Sequence, residues 1–173
     1  MGAIVTLRKL LRIRRQLRRE RKTVVFTNGT FDILHRGHVE YLAAARQQGD
    51  VLVVGLNTDA SVRKIKGRGR PINPLRDRAD VLAALRSVDY VCAFGEDTPA
   101  HLIHLLIPDV LVKGADWSKN DIVGADVVER HGGRVERIRL TPGRSTTAMM
   151  VKILRAYGAG GTRIPVQPQR KRR

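Results

Sequence analysis

His35 and His38 stand either side of Gly37 in the run Thr27-Asn28-Gly29-Thr30-Phe31-Asp32-Ile33-Leu34-His35-Arg36-Gly37-His38. Two imidazoles at that spacing can donate hydrogen bonds to phosphate oxygens on which negative charge accumulates. The run leaves an apolar stretch and enters a helical pattern. A glycine there lets the backbone approach a phosphate closely, and the helix start offers unpaired N–H groups to an anion. Taken singly, such histidines would be two surface residues near a helix start. In this setting they read as a phosphate site.

Three further segments carry groups of matching chemistry. Lys64, Lys66, Arg68 and Arg70 lie in Lys-Ile-Lys-Gly-Arg-Gly-Arg-Pro. Glycines make such a segment mobile, and its cations can close on a triphosphate, offsetting charge and excluding water. Alone it is as often a solvated loop; its place after the second strand, on the edge that carries His35, favours a clamp through Lys66 and Arg70. Lys113 and Gly114 end an apolar run and lead into Ala115, Asp116 and Trp117, the single tryptophan. That ring either stacks on a base or sugar or caps the core. Finally, Arg144 precedes the three hydroxyls of Ser145, Thr146 and Thr147 at a helix start. This is an anion nest, and N-capping by Ser145 is the plainer and compatible reading.

The pattern around these segments specifies the elements that must position them. Strands are expected over 23–27, 51–56, 90–94, 110–112 and 135–140, and helices over 37–48, 73–86, 98–107, 121–131 and 145–158. Val39, Leu42, Ala43 and Ala45 should face inward from the first of these helices, and Val81, Leu82 and Leu85 from the second. Residues 57–73 are rich in Gly, Lys and Arg and read as a long loop. Short apolar strands alternating with helices imply a single α/β domain, a Rossmann-like, doubly wound, five-stranded parallel sheet. Ligands in such sheets sit at the carboxyl ends of the strands. An amphipathic helix over 4–19, with Ile4, Leu7, Leu10, Leu11 and Leu17 at helical spacing, precedes the sheet. The expected organisation is a basic N-terminal helix (1–22), the catalytic domain (23–157) and a basic tail (158–173) that is expected to be disordered.

The net charge of +17 over 173 residues suggests a nucleic-acid binder until it is divided along the chain. Residues 8–22 carry +8 and residues 163–173 carry +5, which leaves +4 for 23–162. With seven aromatic residues and no RNA- or DNA-binding motif, nucleic acid is not the expected main partner. One cysteine, Cys92, excludes an internal disulfide framework. There is no apolar stretch of membrane-spanning length and no signal-peptide core, so a cytoplasmic protein without a membrane partner is expected.

The element Gly-Thr-Phe-Asp-x-x-His-x-Gly-His at 29–38 resembles that of the cytidylyltransferase-like nucleotidyltransferases, a branch of the HIGH-motif superfamily. Residues 144–150 resemble the family's Ile-Ser-Ser-Thr-x-x-Arg element, with Arg144 for the isoleucine and Met150 where cytidylyltransferases often have arginine. Arg-Pro-Ile-Asn-Pro at 70–74, Asp-Arg-Ala-Asp-Val-Leu-Ala-Ala-Leu at 77–85, Val-Asp-Tyr-Val at 88–91, Pro-Asp-Val-Leu-Val-Lys-Gly-Ala-Asp-Trp at 108–117 and Gly-Arg-Ser-Thr-Thr at 143–147 are similar to the adenylyltransferases of ADP-heptose synthesis. The resemblance covers about 23–154, and with no kinase portion it points to the stand-alone form.

The resemblance implies AMP transfer from ATP to D-glycero-D-manno-heptose 1-phosphate, giving ADP-heptose and pyrophosphate. Cytidylyl transfer to glycerol 3-phosphate, or adenylyl transfer to a flavin precursor, is the alternative on the same fold. The residues implied in catalysis are His35, His38 and Lys66. Those implied on the nucleotide are Asn28, Gly29, Thr30, Phe31, Gly37, Arg70, Lys113, Gly114, Arg144, Ser145, Thr146 and Thr147, together with both histidines. Asp32, Asn57, Asp116 and Trp117 fall to the acceptor side, with Asp32 also near a metal. Mg²⁺ is expected to accompany ATP, and a homodimer is implied.

Overall fold

The computed structural model describes residues 1–118, 121–139 and 141–158. The tail beyond Gly158, where disorder is expected, lies outside them. The elements run β1 (Ala3–Ile4), α1 (Leu7–Arg19), β2 (Val24–Gly29), α2 (Arg36–Arg46), β3 (Val51–Asn57), α3 (Asp59–Lys66), α4 (Leu75–Ala83), β4 (Tyr90–Phe94), α5 (Ala100–Leu106), β5 (Val110–Gly114), α6 (Ala125–Arg130), β6 (Arg134–Ile138) and α7 (Thr146–Tyr157).

All strand pairings are parallel, in the order β1-β4-β3-β2-β5-β6. The chain winds outward from β2 in one direction through β3 and β4, and then in the other through β5 and β6. The order therefore reverses at β2, and its carboxyl end opens the crevice in which α/β sheets bind ligands. Side chains alternate across the sheet. Val25, Leu52, Val54 and Leu56 pack with Tyr41, Leu42 and Leu82 on one face. Val24, Phe26, Val53 and Leu111 pack with Leu10, Ile103, Leu106 and Val128 on the other. Both faces are covered, as apolar parallel strands require.

The sheet has six strands, not five. The extra strand, β1, pairs Ala3 with Tyr90 and Ile4 with Val91; two residues are too few to leave a periodic signature, so the helix expected from residue 4 starts at Leu7. One of the helix's many arginines is not surface charge at all. Arg14 is buried, and donates from Nη1 and Nη2 to Asp109 at 2.9 and 2.8 Å, from Nη2 to the Ile107 carbonyl at 2.7 Å and from Nε to the Leu106 carbonyl at 3.2 Å.

The stretch 57–73 is not one long loop. Thr58 caps α3 by accepting from the Ser61 N–H at 3.4 Å, and the helix ends at Gly67, whose φ of +92° suits glycine. The glycines that suggest a loop all lie after residue 66. Val39 and Val81, expected inside, are 44% and 51% exposed; Leu42, Ala45 and Leu82 are buried as expected, joined by Tyr41 on α2 and by Arg78 and Ala79 on α4.

Candidate active site

β2 carries Asn28 and Gly29 to the crevice, and the chain then turns through Thr30–Leu34 into α2. His35 is the N-cap of α2 but makes no side-chain capping bond, so its ring is free for other work. The His35 and His38 rings stack at 3.9 Å between centroids and 20° between planes. Gly37 permits this, since a Cβ there would lie 3.1 Å from the His35 ring and 3.3 Å from Arg144 Cβ. Phe31 sets its ring edge-on to His38 at 5.3 Å. It also fills the space above Gly29, where a Cβ would come within 2.9 Å of the ring.

The Nδ1 atoms of both histidines are buried without a hydrogen-bond partner. A buried polar atom left unpaired costs about 1–3 kcal/mol, which stability alone would not select. Burial, with the neighbouring His35, pushes the His38 imidazole down to about 4. Burial and the Arg144 charge also lower His35. Both rings are therefore neutral at pH 7, each holding one N–H to donate.

β5 lies beside β2, and its end brings Lys113 to Asn28, whose Oδ1 accepts from Nζ. Burial lowers this lysine to about 8 against the opposing pull of Asp116, and Nζ lies 6.0 Å from the Trp117 ring centroid. The tryptophan is 49% exposed and so does not cap the core.

A cleft of about 460 Å³ joins these groups: Asn28, Gly29, Thr30, Phe31, Gly37 and His38 from the first segment, Lys66 from the end of α3, Lys113, Gly114, Asp116 and Trp117 from β5, and Arg144 from the turn before α7. Asn57 reaches its floor, where its amide donates to Ser61 Oγ at 2.9 Å. His35 and Ser145 line a second recess of about 400 Å³ that shares Arg144 with the first. Of the three hydroxyls, Ser145 caps α7 by accepting from the Ala148 N–H at 3.1 Å, and Thr146 donates to the Ile33 carbonyl at 3.1 Å. Thr147 is exposed.

Two residues stand elsewhere than expected. The Asp32 side chain is fully buried, and its carboxylate accepts from Arg70 Nε at 2.6 Å and from the N–H groups of Ile72 and Asn73 at 2.8 Å each. Burial opposes its ionisation, but the two N–H groups and Arg70 outweigh that and hold it below the ordinary carboxylate range. Its oxygens are thus spent inside the protein. Arg70 is spent with it. Its Nη1 faces Met150 Sδ at 3.4 Å, so the side chain is bolted to the domain and does not line the cleft. Lys66 does line it, which leaves that lysine as the basic segment's cation at the cleft.

Sequence reasoning missed Asp97, Thr98 and Pro99, which follow β4 and line the cleft; their place at a strand's carboxyl end was the available signal. It also missed Tyr41, whose hydroxyl pairs with Thr27 Oγ1 at 2.8 Å beneath the site. Burial raises that phenol to about 12, so it stays protonated.

The cleft at the reversal of strand order, with stacked imidazoles at the mouth of α2, coincides with the region that matches a known family pattern. Residues 26–152 match the family described as cytidylyltransferase-like. The chain belongs to that family. Within this cytidylyltransferase-like family its relatives include the bifunctional protein HldE of Syntrophotalea carbinolica, 57% identical over 83% of this chain and 29% of the relative. The bifunctional protein HldE of Gluconacetobacter diazotrophicus is 61% identical over 79% of this chain and 28% of its own length. The chain thus spans less than a third of these relatives.

Among solved structures, the lipopolysaccharide core biosynthesis protein from Thermoplasma volcanium is 27% identical with a TM-score of 0.57, covering 69% of this chain and 97% of that one. A pantoate-beta-alanine ligase from Francisella tularensis shares the fold, with a TM-score of 0.61 at 14% identity over 85% of this chain and 69% of its own. Among the described residues no helix is long and apolar enough to cross a membrane.

Proposed function

We propose that this cytidylyltransferase-like chain transfers AMP from ATP to D-glycero-D-manno-heptose 1-phosphate, releasing pyrophosphate and forming ADP-heptose. The observation that carries the reading is His38, a neutral imidazole lining a cleft that also holds Lys66, Lys113 and Arg144, with the His35 ring stacked on it from the adjoining recess that shares Arg144. The choice of sugar and base is supported by the resemblance of the segments at 70–91, 108–117 and 143–147, and is compatible with relatives at 57–61% identity.

In this reaction an oxygen of the sugar phosphate attacks the α-phosphorus of ATP, the bond from that phosphorus to the bridging oxygen breaks, and pyrophosphate departs with the electron pair. The attacking oxygen is already anionic at pH 7, so no base must remove a proton. Catalysis therefore reduces to holding the two phosphates in line and stabilising the charge that spreads over the oxygens. His38 and His35 donate to the α- and β-phosphate oxygens, at the mouth of α2 where the helix dipole also favours anions. Lys66 and Arg144, which line the same cleft, contact the phosphates, and Lys113 with Trp117 borders the space for nucleoside or acceptor.

Mg²⁺ belongs to the same reading. Among the described residues no three His, Cys, Asp or Glu side chains converge as a metal cage, and the Asp32 carboxylate is fully bonded. The ion would be held mainly by triphosphate oxygens and water, as Mg²⁺ commonly is, and would neutralise the leaving pyrophosphate. A cytoplasmic setting, a catalytic unit over 23–157 with the preceding helix packed on it, and a homodimer complete the proposal.

The test is product mass. Incubating the protein with ATP, CTP, heptose 1-phosphate and glycerol 3-phosphate together should yield ADP-heptose; CDP-glycerol as the main product would overturn the substrate assignment.

A further inference from the structure

We propose that Arg78, a residue outside the cleft, is a positioning residue that holds Phe31 in the backbone conformation on which the placing of His38 depends. Arg78 lies on α4 and its side chain is completely buried. Nη1 donates to the Thr30 carbonyl at 2.6 Å, Nε to the Asn73 carbonyl at 3.0 Å and Nη2 to Asp59 Oδ1 at 2.6 Å. One guanidinium thereby ties together the turn after β2, the first residue of α3 and the segment leading into α4. Of these, the turn after β2 lines the cleft through Thr30 and Phe31.

The grip is placed where the backbone needs it. Phe31 has φ of +40°, a left-handed conformation that bulky side chains rarely adopt. Such a residue persists only when its surroundings overdetermine it. Thr30 on one side is held through its carbonyl by Arg78. Asp32 on the other side is held through its carboxylate by Arg70 and the N–H groups of Ile72 and Asn73. Asn73 belongs to both grips: its carbonyl accepts from Arg78, while its side-chain amide donates to the Asp32 carbonyl at 2.6 Å. The Phe31 ring, 6% exposed, is thereby fixed edge-on to His38.

One of the three Arg78 bonds goes to the carbonyl of Thr30, which lines the cleft, and another to the carbonyl of Asn73, whose N–H and amide hold Asp32 on the far side of Phe31; the guanidinium thus sets the geometry of that turn. The effect on rate rests on the proposed role of His38; the effect on His38 itself does not.

Arg78→Lys keeps the charge and loses the fork. With folding verified by circular dichroism, the variant should keep KM for ATP within about threefold while kcat falls on the order of 10²-fold, the scale of a misplacement of about 1 Å. The His38 ring, followed by NMR in the nucleotide-free protein, should titrate closer to an ordinary imidazole as its packing loosens. A folded variant with unchanged kcat and unchanged His38 titration would overturn the proposal.

If Arg78→Lys does not fold, Asp59→Ala removes only the partly exposed partner. It should shift the same two readouts in the same direction, with kcat lowered about five- to tenfold, and its indifference in both would be equally decisive. Should the wild-type protein transfer no nucleotide at all, the activity reading fails, and the His38 titration alone decides the positioning.

Discussion

His38 holds a neutral ring in a place where a charged one is disfavoured, and this has a consequence for stability as well as for phosphate binding. Its folded value of about 4 lies below the ordinary 6.5, so the unfolded chain takes up a proton first as pH falls. The stabilising contribution is complete above about pH 6.5 and is lost as pH drops towards 4. Urea midpoints measured at pH 7 and pH 4.5 should therefore fall further for the wild type than for His38→Gln. Lys113 is lowered in the same sense, at higher pH. Its folded value of about 8 means that it is protonated below that pH. If its charge serves the nucleotide, kcat/KM for ATP should decline as pH rises through about 8, and Lys113→Met should abolish that alkaline limb. What the sequence could say at this scale was the identity of groups at strand ends. What it could not say was which of them are spent on each other. Asp32 and Arg70 are 38 residues apart, and no periodicity links them, yet the carboxylate binds the guanidinium at 2.6 Å and withdraws both from the cleft. Met150 has a similar lesson, since its sulfur meets Arg70 Nη1 at 3.4 Å across 80 residues of sequence.

Among the elements, the strands and the helices after β2, β4 and β6 are legible because short apolar runs alternate with capped, amphipathic segments. The failures share one cause: composition masks geometry in short pieces. β1 is two residues long, and α3 is an eight-residue helix whose basic surface merges with the Gly-Arg-Gly that follows. α1 was legible as amphipathic, but the role of its arginines was not. Arg14 points inward to Asp109, and Asp109 also accepts the Val24 N–H at 2.7 Å, so one ion pair joins α1, the end of α5 and the start of β2. Asp109 keeps 42% of its side chain exposed, which moderates the loss when its partner is removed. Arg14→Leu should therefore destabilise the protein by about 2 kcal/mol, mainly through the carbonyls and carboxylate left without a donor. Denaturant unfolding measures it directly. Arg15→Ala, on the exposed face of the same helix, should change stability by less than about 0.5 kcal/mol.

At the scale of the whole molecule, the doubly wound order makes one place where segments distant in sequence must meet. Residues 28–38, 66, 113–117 and 144 have no local reason to be neighbours; the reversal of strand order at β2 supplies it. The basic charge is distributed differently from the chemistry, since the nine cations of residues 8–22 sit on and around α1, while among the described residues the Lys and Arg side chains lining the main cleft are Lys66, Lys113 and Arg144. Raising salt should therefore weaken ATP binding modestly, since few charges are involved and Lys113 among them is half-buried, and a steep dependence would implicate the exposed basic ends instead. α7 leaves Ile153, Leu154 and Tyr157 49%, 65% and 49% exposed, an apolar face to examine by sedimentation if the homodimer is sought.

The central claim is that the stacked imidazoles stabilise charge on a reacting phosphate. Pyrophosphate release from ATP and heptose 1-phosphate, compared for the wild type and a folded His38→Ala variant at pH 7.5, tests it most directly. Loss of this single donor should slow turnover on the order of 10²–10³-fold. Wild-type turnover by the variant would contradict the account.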